Sequence, residues 1–176
     1  MGLQLIICVE TNKKCNSDYI YIKSSIEKFY SIDLGTIKLS PVYLDGKGNY
    51  SSKKTLKSID ELSKQYKSTS KDNTNTVMYC IDCDEYDNRP EDMEFLDEVN
   101  DFCEKKGYRF VWFCKDIEQV YLGNRIPDNR KKNEAITFLK KKKIANVRIE
   151  NLTAKRYQKG KSNLCAVLDD YLTRKH

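Results

Sequence analysis

The chain has 176 residues, 39% hydrophobic and 33% charged, with a net charge of +6. That length lets one domain bury its own core without disulfides or metals as staples. No apolar run approaches the ~20 residues of a membrane span, and Met1–Cys8 shows neither a signal-peptide nor a myristoylation pattern, so a cytoplasmic protein without membrane contact is expected.

Leu3 to Val9 is a nearly continuous apolar run, which suits a strand covered on both faces of a parallel sheet. It ends at a carboxylate, Glu10. Asn16-Ser17-Asp18 then offers a cap for a helix running to about Tyr30, with Tyr19, Ile22, Ile26, Phe29 and Tyr30 at helical spacing. Thr36 to Leu44 reads as a second strand, followed by the turn Asp45-Gly46-Lys47-Gly48-Asn49. The Gly46-Lys47-Gly48 piece lacks the full phosphate-loop pattern and reads as a strand-to-helix turn. Ser51-Ser52 starts the next helix, which carries Leu56, Ile59, Leu62 and Tyr66.

Val77 to Ile81 has strand character and runs into Asp82-Cys83-Asp84-Glu85-Tyr86-Asp87. Residues two apart in a strand share a face, so Asp82 and Asp84 are expected to project together. Two such carboxylates can hold a hard cation such as Mg²⁺; an ordinary solvated acidic turn is the competing reading. Cys80 and Cys83 form a single C-x-x-C among seven cysteines, and the one histidine is His176. In a strand the two cysteines face opposite sides, so zinc or redox chemistry is not expected.

Pro90 stands near the start of a helix from about Glu91 to Lys106, burying Met93, Leu96, Val99, Asn100 and Cys103 and ending at Gly107. Tyr108 to Cys114 is a fourth strand, and Asp116 and Glu118 follow at once. Strands alternating with helices over residues 1–122 predict an α/β fold. Its sheet should be mostly parallel, with four to five strands and helices on both faces. Ligands of such sheets gather outside the carboxyl ends of the strands, where Glu10, Asp82, Asp84 and Glu118 fall.

Residues 123–176 form a looser, basic part packing on that core in a single domain. Asn129 to Lys142 looks helical, with Ala135, Ile136 and Leu139 as a narrow apolar stripe and Arg130-Lys131-Lys132 and Lys140 to Lys143 as charge. Ile144 to Leu152 reads as a short strand and Ser162 to Leu172 as a closing helix. Between them lies Lys155-Arg156-Tyr157-Gln158-Lys159-Gly160-Lys161. Residues 1–104 hold 13 Lys/Arg against 19 Asp/Glu, and residues 105–176 hold 19 against 7. A basic half of +12 suits a polyanion partner, though solvated lysine explains it as simply.

A strand ending in Glu10 and a later strand ending in Asp82-x-Asp84, on this frame, resemble the Toprim domain of topoisomerases, primases and OLD nucleases. The resemblance is closest to the RloB-like branch of phage-defence and restriction-linked loci. Asp18-Tyr19 echoes its acidic and aromatic signature, Gly46-Lys47-Gly48 its glycine turn, Phe113-Cys114-Lys115-Asp116-Ile117-Glu118 its third acidic motif, and Tyr157-Gln158-Lys159 its Tyr and Lys segment. Two positions depart: Thr11 stands where the family has Gly, and Glu85-Tyr86-Asp87 replaces a glycine or histidine turn.

The resemblance implies a Mg²⁺- or Mn²⁺-dependent nuclease of DNA or RNA. Asp82 and Asp84 would hold the metal, with Glu10 as a further ligand or general base. Asp18 and Glu118 would complete a second metal position. Lys159 or Lys161 would neutralise developing phosphorane charge, Lys155 and Arg156 would add phosphate contacts, and Tyr157 is a candidate to stack on a base. An ABC/OLD-type ATPase and a second copy of the chain are the implied protein partners. The rival is an inactive Toprim-like protein that binds nucleic acid or such an ATPase. A receiver-like domain also clusters acids at strand ends, but the basic C-terminal part fits it poorly.

Overall fold

Strand β1, Leu3–Val9, is the axis of the sheet. The computed structural model describes residues 1–175; His176, the single histidine, lies outside them. β1 pairs in parallel with β2, Ile37–Tyr43, on one side and with β3, Thr74–Asp82, on the other. β4, Arg109–Cys114, lies parallel to β3, and the two-residue β5, Lys161–Ser162, runs antiparallel along β4. The order β2-β1-β3-β4-β5 leaves β2 as one margin, while the C-terminal part supplies the other. The expected α/β architecture is therefore present.

Alternation along β1 explains the two cores. Leu5, Ile7 and Val9 enter one, while Ile6 and Cys8 enter the other. The first core is covered by α1 (Ser17–Phe29), α4 (Ile117–Leu122), α5 (Asp128–Lys140) and α6 (Leu164–Leu168). At its heart the Tyr21 ring stacks on Tyr121 with centroids 5.1 Å apart, and Phe138 meets Tyr21 edge-on at 4.9 Å. The second core is covered by α2 (Lys53–Lys67) and α3 (Pro90–Lys106). Cys80 belongs to the first core and Cys83 to the second, as alternation requires, and all seven cysteines are free. No helix among the described residues is long and apolar enough to cross a membrane.

Local chemistry sets the helix ends. Ser52 Oγ accepts the Thr55 N–H at 3.2 Å and starts α2. Ser52→Ala is expected to cost about 1 kcal/mol, read as a lower urea midpoint with an unchanged slope. An unmoved midpoint would remove Ser52 from that role. Gly107, at φ 68°, ends α3 in the left-handed conformation. Asn16 does not cap α1 with its side chain; its Oδ1 instead accepts the Tyr43 hydroxyl at 2.6 Å.

The structure departs from expectation mainly after Gly123. Ile144–Leu152 is not a strand but holds parts of two 3-10 turns, Lys143–Asn146 and Ile149–Asn151. The β4 margin is already taken by β5, and this stretch sits against α1 instead. Lys28 Nζ fastens it by donating to the carbonyls of Ile144, Ala145 and Val147 at 2.8, 3.1 and 2.8 Å. The closing helix shortens to α6, Leu164–Leu168, and at its expected start Ser162 pairs with Phe113 in the sheet instead.

Candidate active site

In this strand order the chain leaves β1 for β2 in one direction and later returns to β3 in the other. The crevice between the carboxyl ends of β1 and β3 is thus a topological switch point, the usual ligand position in open α/β sheets. Glu10 follows β1 and Asp82 closes β3. The Asp82 N–H donates to Glu10 Oε1 at 2.7 Å, and Asp82 Oδ1 accepts the Ile117 N–H at 2.9 Å. Both acids keep some surface, yet protein encloses their carboxylates on nearly every side.

Two further acids stand behind them. Asp18, buried in the first turn of α1, accepts the Thr11 N–H at 3.1 Å and the Ser17 hydroxyl at 3.1 Å. Thr11, in place of the expected Gly, therefore contributes its N–H, while its hydroxyl is buried without a partner. Glu118 on α4 has no exposure at all, and neither carboxylate oxygen has a hydrogen-bond partner. Its nearest cation is Lys131 Nζ, 3.6 Å away.

Enclosure makes these acids reluctant to ionise. Burial pushes the Glu10 carboxyl up to about 8; the Asp82 N–H opposes the rise, and the charges of Asp18 and Asp84 add to it. Burial raises Asp82 well above the usual carboxylate range, reinforced by Glu10, Asp18 and Glu118. Burial also lifts Glu118 to about 7 against the pull of Lys131, and lifts Asp18. Burial is the first cause of every one of these shifts, and neighbouring acids add to those of Glu10, Asp82 and Glu118.

Asp84 stands differently. β3 ends at Asp82, and Asp84 sits beyond it in a turn at φ 47°, so the strand alternation expected to pair it with Asp82 does not reach it. Its carboxylate accepts from Lys47 Nζ and lies 3.8 Å from the Arg125 guanidinium. Arg125 also binds Asp116 through Nε at 2.7 Å and Glu85 through Nη1 at 2.5 Å. Lys115 completes this outer ring at 2.6 Å from Glu85 and 3.0 Å from Asp87. The hydrogen bond from Lys115 pulls the Glu85 carboxyl down to about 2. Sequence reading missed these three cations. Lys47 looked like part of a glycine turn, and no local pattern links Lys115 or Arg125 to acids tens of residues away.

The basic segment lies beside the end of β4. The Gly160 N–H donates to the Cys114 carbonyl, and Lys159, Gly160 and Lys161 line a groove with Gln119, Gly123 and Asn146. Lys155, Arg156 and Lys159 are exposed, whereas Lys161 Nζ donates to Asn151 Oδ1 at 2.6 Å. Tyr157 is not free to stack on a base. Its ring packs against Trp112 at 5.0 Å and Tyr86 at 5.5 Å, at the border of the second core.

No family model, curated protein or solved structure matches the chain. The donors of the site are carboxylate oxygens, which suit a hard cation such as Mg²⁺ or Mn²⁺. Among the described residues, no group of three or more His, Cys, Asp or Glu side chains is gathered as a ready-made metal cluster. Glu10, Asp18 and Asp82 have no ion-pair partner among the described residues, and the Glu118 oxygens lack hydrogen bonds. Oxygen donors of this kind are the type a divalent ion takes, while Asp84 is engaged by Lys47.

Proposed function

We propose that the chain is a divalent-metal-dependent phosphodiesterase acting on DNA or RNA, in the manner that its resemblance to Toprim nucleases implies. The observation that carries this reading is the enclosed pair Glu10 and Asp82, neither held in a salt bridge among the described residues, at the switch point of the sheet. Glu10, Asp82 and Asp84 would hold Mg²⁺ or Mn²⁺, which supplies Lewis-acid stabilisation of a phosphoryl oxygen when bound. Glu10, reluctant to ionise in the free protein, is placed to take up or release a proton at Oε2, since Oε1 already accepts the Asp82 N–H. Exposed Lys155, Arg156 and Lys159 can meet backbone phosphates without reading sequence. A phage-defence setting, an ABC-type ATPase partner and a cytoplasmic location belong to the same proposal.

The test is cleavage of labelled single-stranded DNA, double-stranded DNA and RNA with Mg²⁺, Mn²⁺ or a chelator. The expected result is cutting of at least one polymer with metal and none with chelator, together with a metal-dependent rise in melting temperature. Neither cutting nor a melting shift would sink the proposal. A second reading, a non-catalytic protein binding nucleic acid or an ATPase, is favoured by the salt bridges from Lys47 and Arg125 that already engage Asp84. It requires tight, salt-sensitive binding without cleavage.

A further inference from the structure

We propose that the groove beside the end of β4 seats a single, unpaired nucleic-acid strand and leads it toward the carboxylate crevice. The inference rests on the nuclease reading above and deepens it, by naming unpaired DNA or RNA as the form of polymer that the site takes.

The groove has two lobes. One, of about 590 Å³, lies between the end of α4 and the Lys159–Lys161 turn. The other, of about 530 Å³, lies between the same helix end and the first turns of α5. Tyr121, Leu122 and Asn146 line both, so the two are continuous. Five cations stand along it, Lys159 and Lys161 in the first lobe and Arg125, Arg130 and Lys143 in the second. Among the described residues that line it the only acid is Glu134, which Arg130 already holds at 2.9 Å. Lys143 and Lys159 have no carboxylate partner among the described residues, and Lys161 donates to the neutral Asn151 at 2.6 Å. Their charge is therefore left for an anion from outside the chain.

Arg125 joins the second lobe to the crevice. Its guanidinium binds Asp116 at 2.7 Å, Asp116 accepts the Gln119 N–H at 2.7 Å to start α4, and the adjoining Ile117 N–H donates to Asp82 at 2.9 Å. Between the cations of the first lobe, Val120, Leu122 and Val147 supply apolar lining. An unpaired strand matches both parts, with base faces for the apolar lining and phosphates for the lysines. In a duplex the base faces are stacked on one another. Lobes of this volume are the size of small-ligand pockets, so a duplex would meet only their rims.

The experiment measures binding of labelled oligo(dT), oligo(U) and a DNA duplex of equal length by fluorescence anisotropy, in chelator and across a salt series. Wild type is compared with Lys143→Gln, Lys159→Gln and a control, Lys57→Gln, on α2 over the other core. Wild type is expected to bind at least one single strand more tightly than the duplex, although the duplex carries the denser charge. Each groove variant should weaken that binding about fivefold at ~0.1 M salt and lower the slope of log affinity on log salt by about 0.7, the loss of one phosphate contact on a single strand. Lys57→Gln should change neither. Tighter binding of the duplex, equal losses from Lys57→Gln, or no binding of any polymer would overturn the inference. Single-strand binding with the expected losses, but no metal-dependent cleavage, would uphold the groove and defeat the nuclease reading. Metal-dependent cleavage untouched by both groove variants would do the reverse. Melting curves check that each variant is folded; if Lys143→Gln is not, Lys159→Gln carries the test alone.

Discussion

Asp82→Asn is expected to lower metal-dependent cleavage by about a thousandfold, while raising the melting midpoint of the metal-free protein by roughly 3 °C. The two effects share one cause. Asn keeps an oxygen to accept the Ile117 N–H, so the local fold has no reason to change. It removes the cost of enclosing an acid that burial, Glu10, Asp18 and Glu118 keep from ionising in the free protein, and it removes the charge that a divalent ion would require. A site kept for chemistry at the expense of stability has this signature, whereas an acid kept for structure shows the reverse. Kinetics on labelled DNA and RNA, with a thermal melt in chelator, measure both arms. Unchanged cleavage with a lowered midpoint would remove Asp82 from the site.

Stability should also fall as pH rises, opposite to the trend set by ordinary paired carboxylates. Glu10 at about 8 and Glu118 at about 7 both lie above their ordinary 4.5, as burial dictates. The folded chain therefore binds more protons than the unfolded chain between about 4.5 and 8. Below that window the raised acids are protonated in both states and impose no penalty; above it each must ionise in its crevice. For Glu118 alone the penalty is on the order of 3 kcal/mol, or about 10 °C in a chain of this size. Melting curves in chelator from pH 5 to about pH 8.5 should show the decline, and saturating Mn²⁺ should flatten it by favouring the ionised acids. A midpoint that rises through this range would show that the acids are not enclosed together.

The sheet was legible because its strands are short apolar runs ended by turn residues or charge. Leu3–Val9 is apolar throughout except Gln4, and Gln4 is buried with its amide donating to Ser40. Glu10 and Asp82 were legible for a related reason, since a carboxylate that ends a buried strand must lie at the sheet's rim. The rest depended on long-range placement. Strand alternation carries no information past the last paired residue, so the turn that sends Asp84 toward Lys47 was invisible. Lys131 read only as part of a basic run, and no local pattern sets it apart from Arg130 and Lys132 or points it toward Glu118. Ile144–Leu152 has strand-like composition, but whether such a stretch joins a sheet depends on a free margin, and β5 had taken it.

The margins of the sheet have a consequence for life at high concentration. Beyond β4 the backbone is partly covered by β5, leaving β2 as the long open margin. There Pro41 offers no amide hydrogen and Lys38 sets a charge at the surface. Both discourage another chain from adding itself as a sixth strand. Self-association of this protein is therefore expected to proceed through helical faces, and filament growth by strand addition is disfavoured even when the chain is abundant.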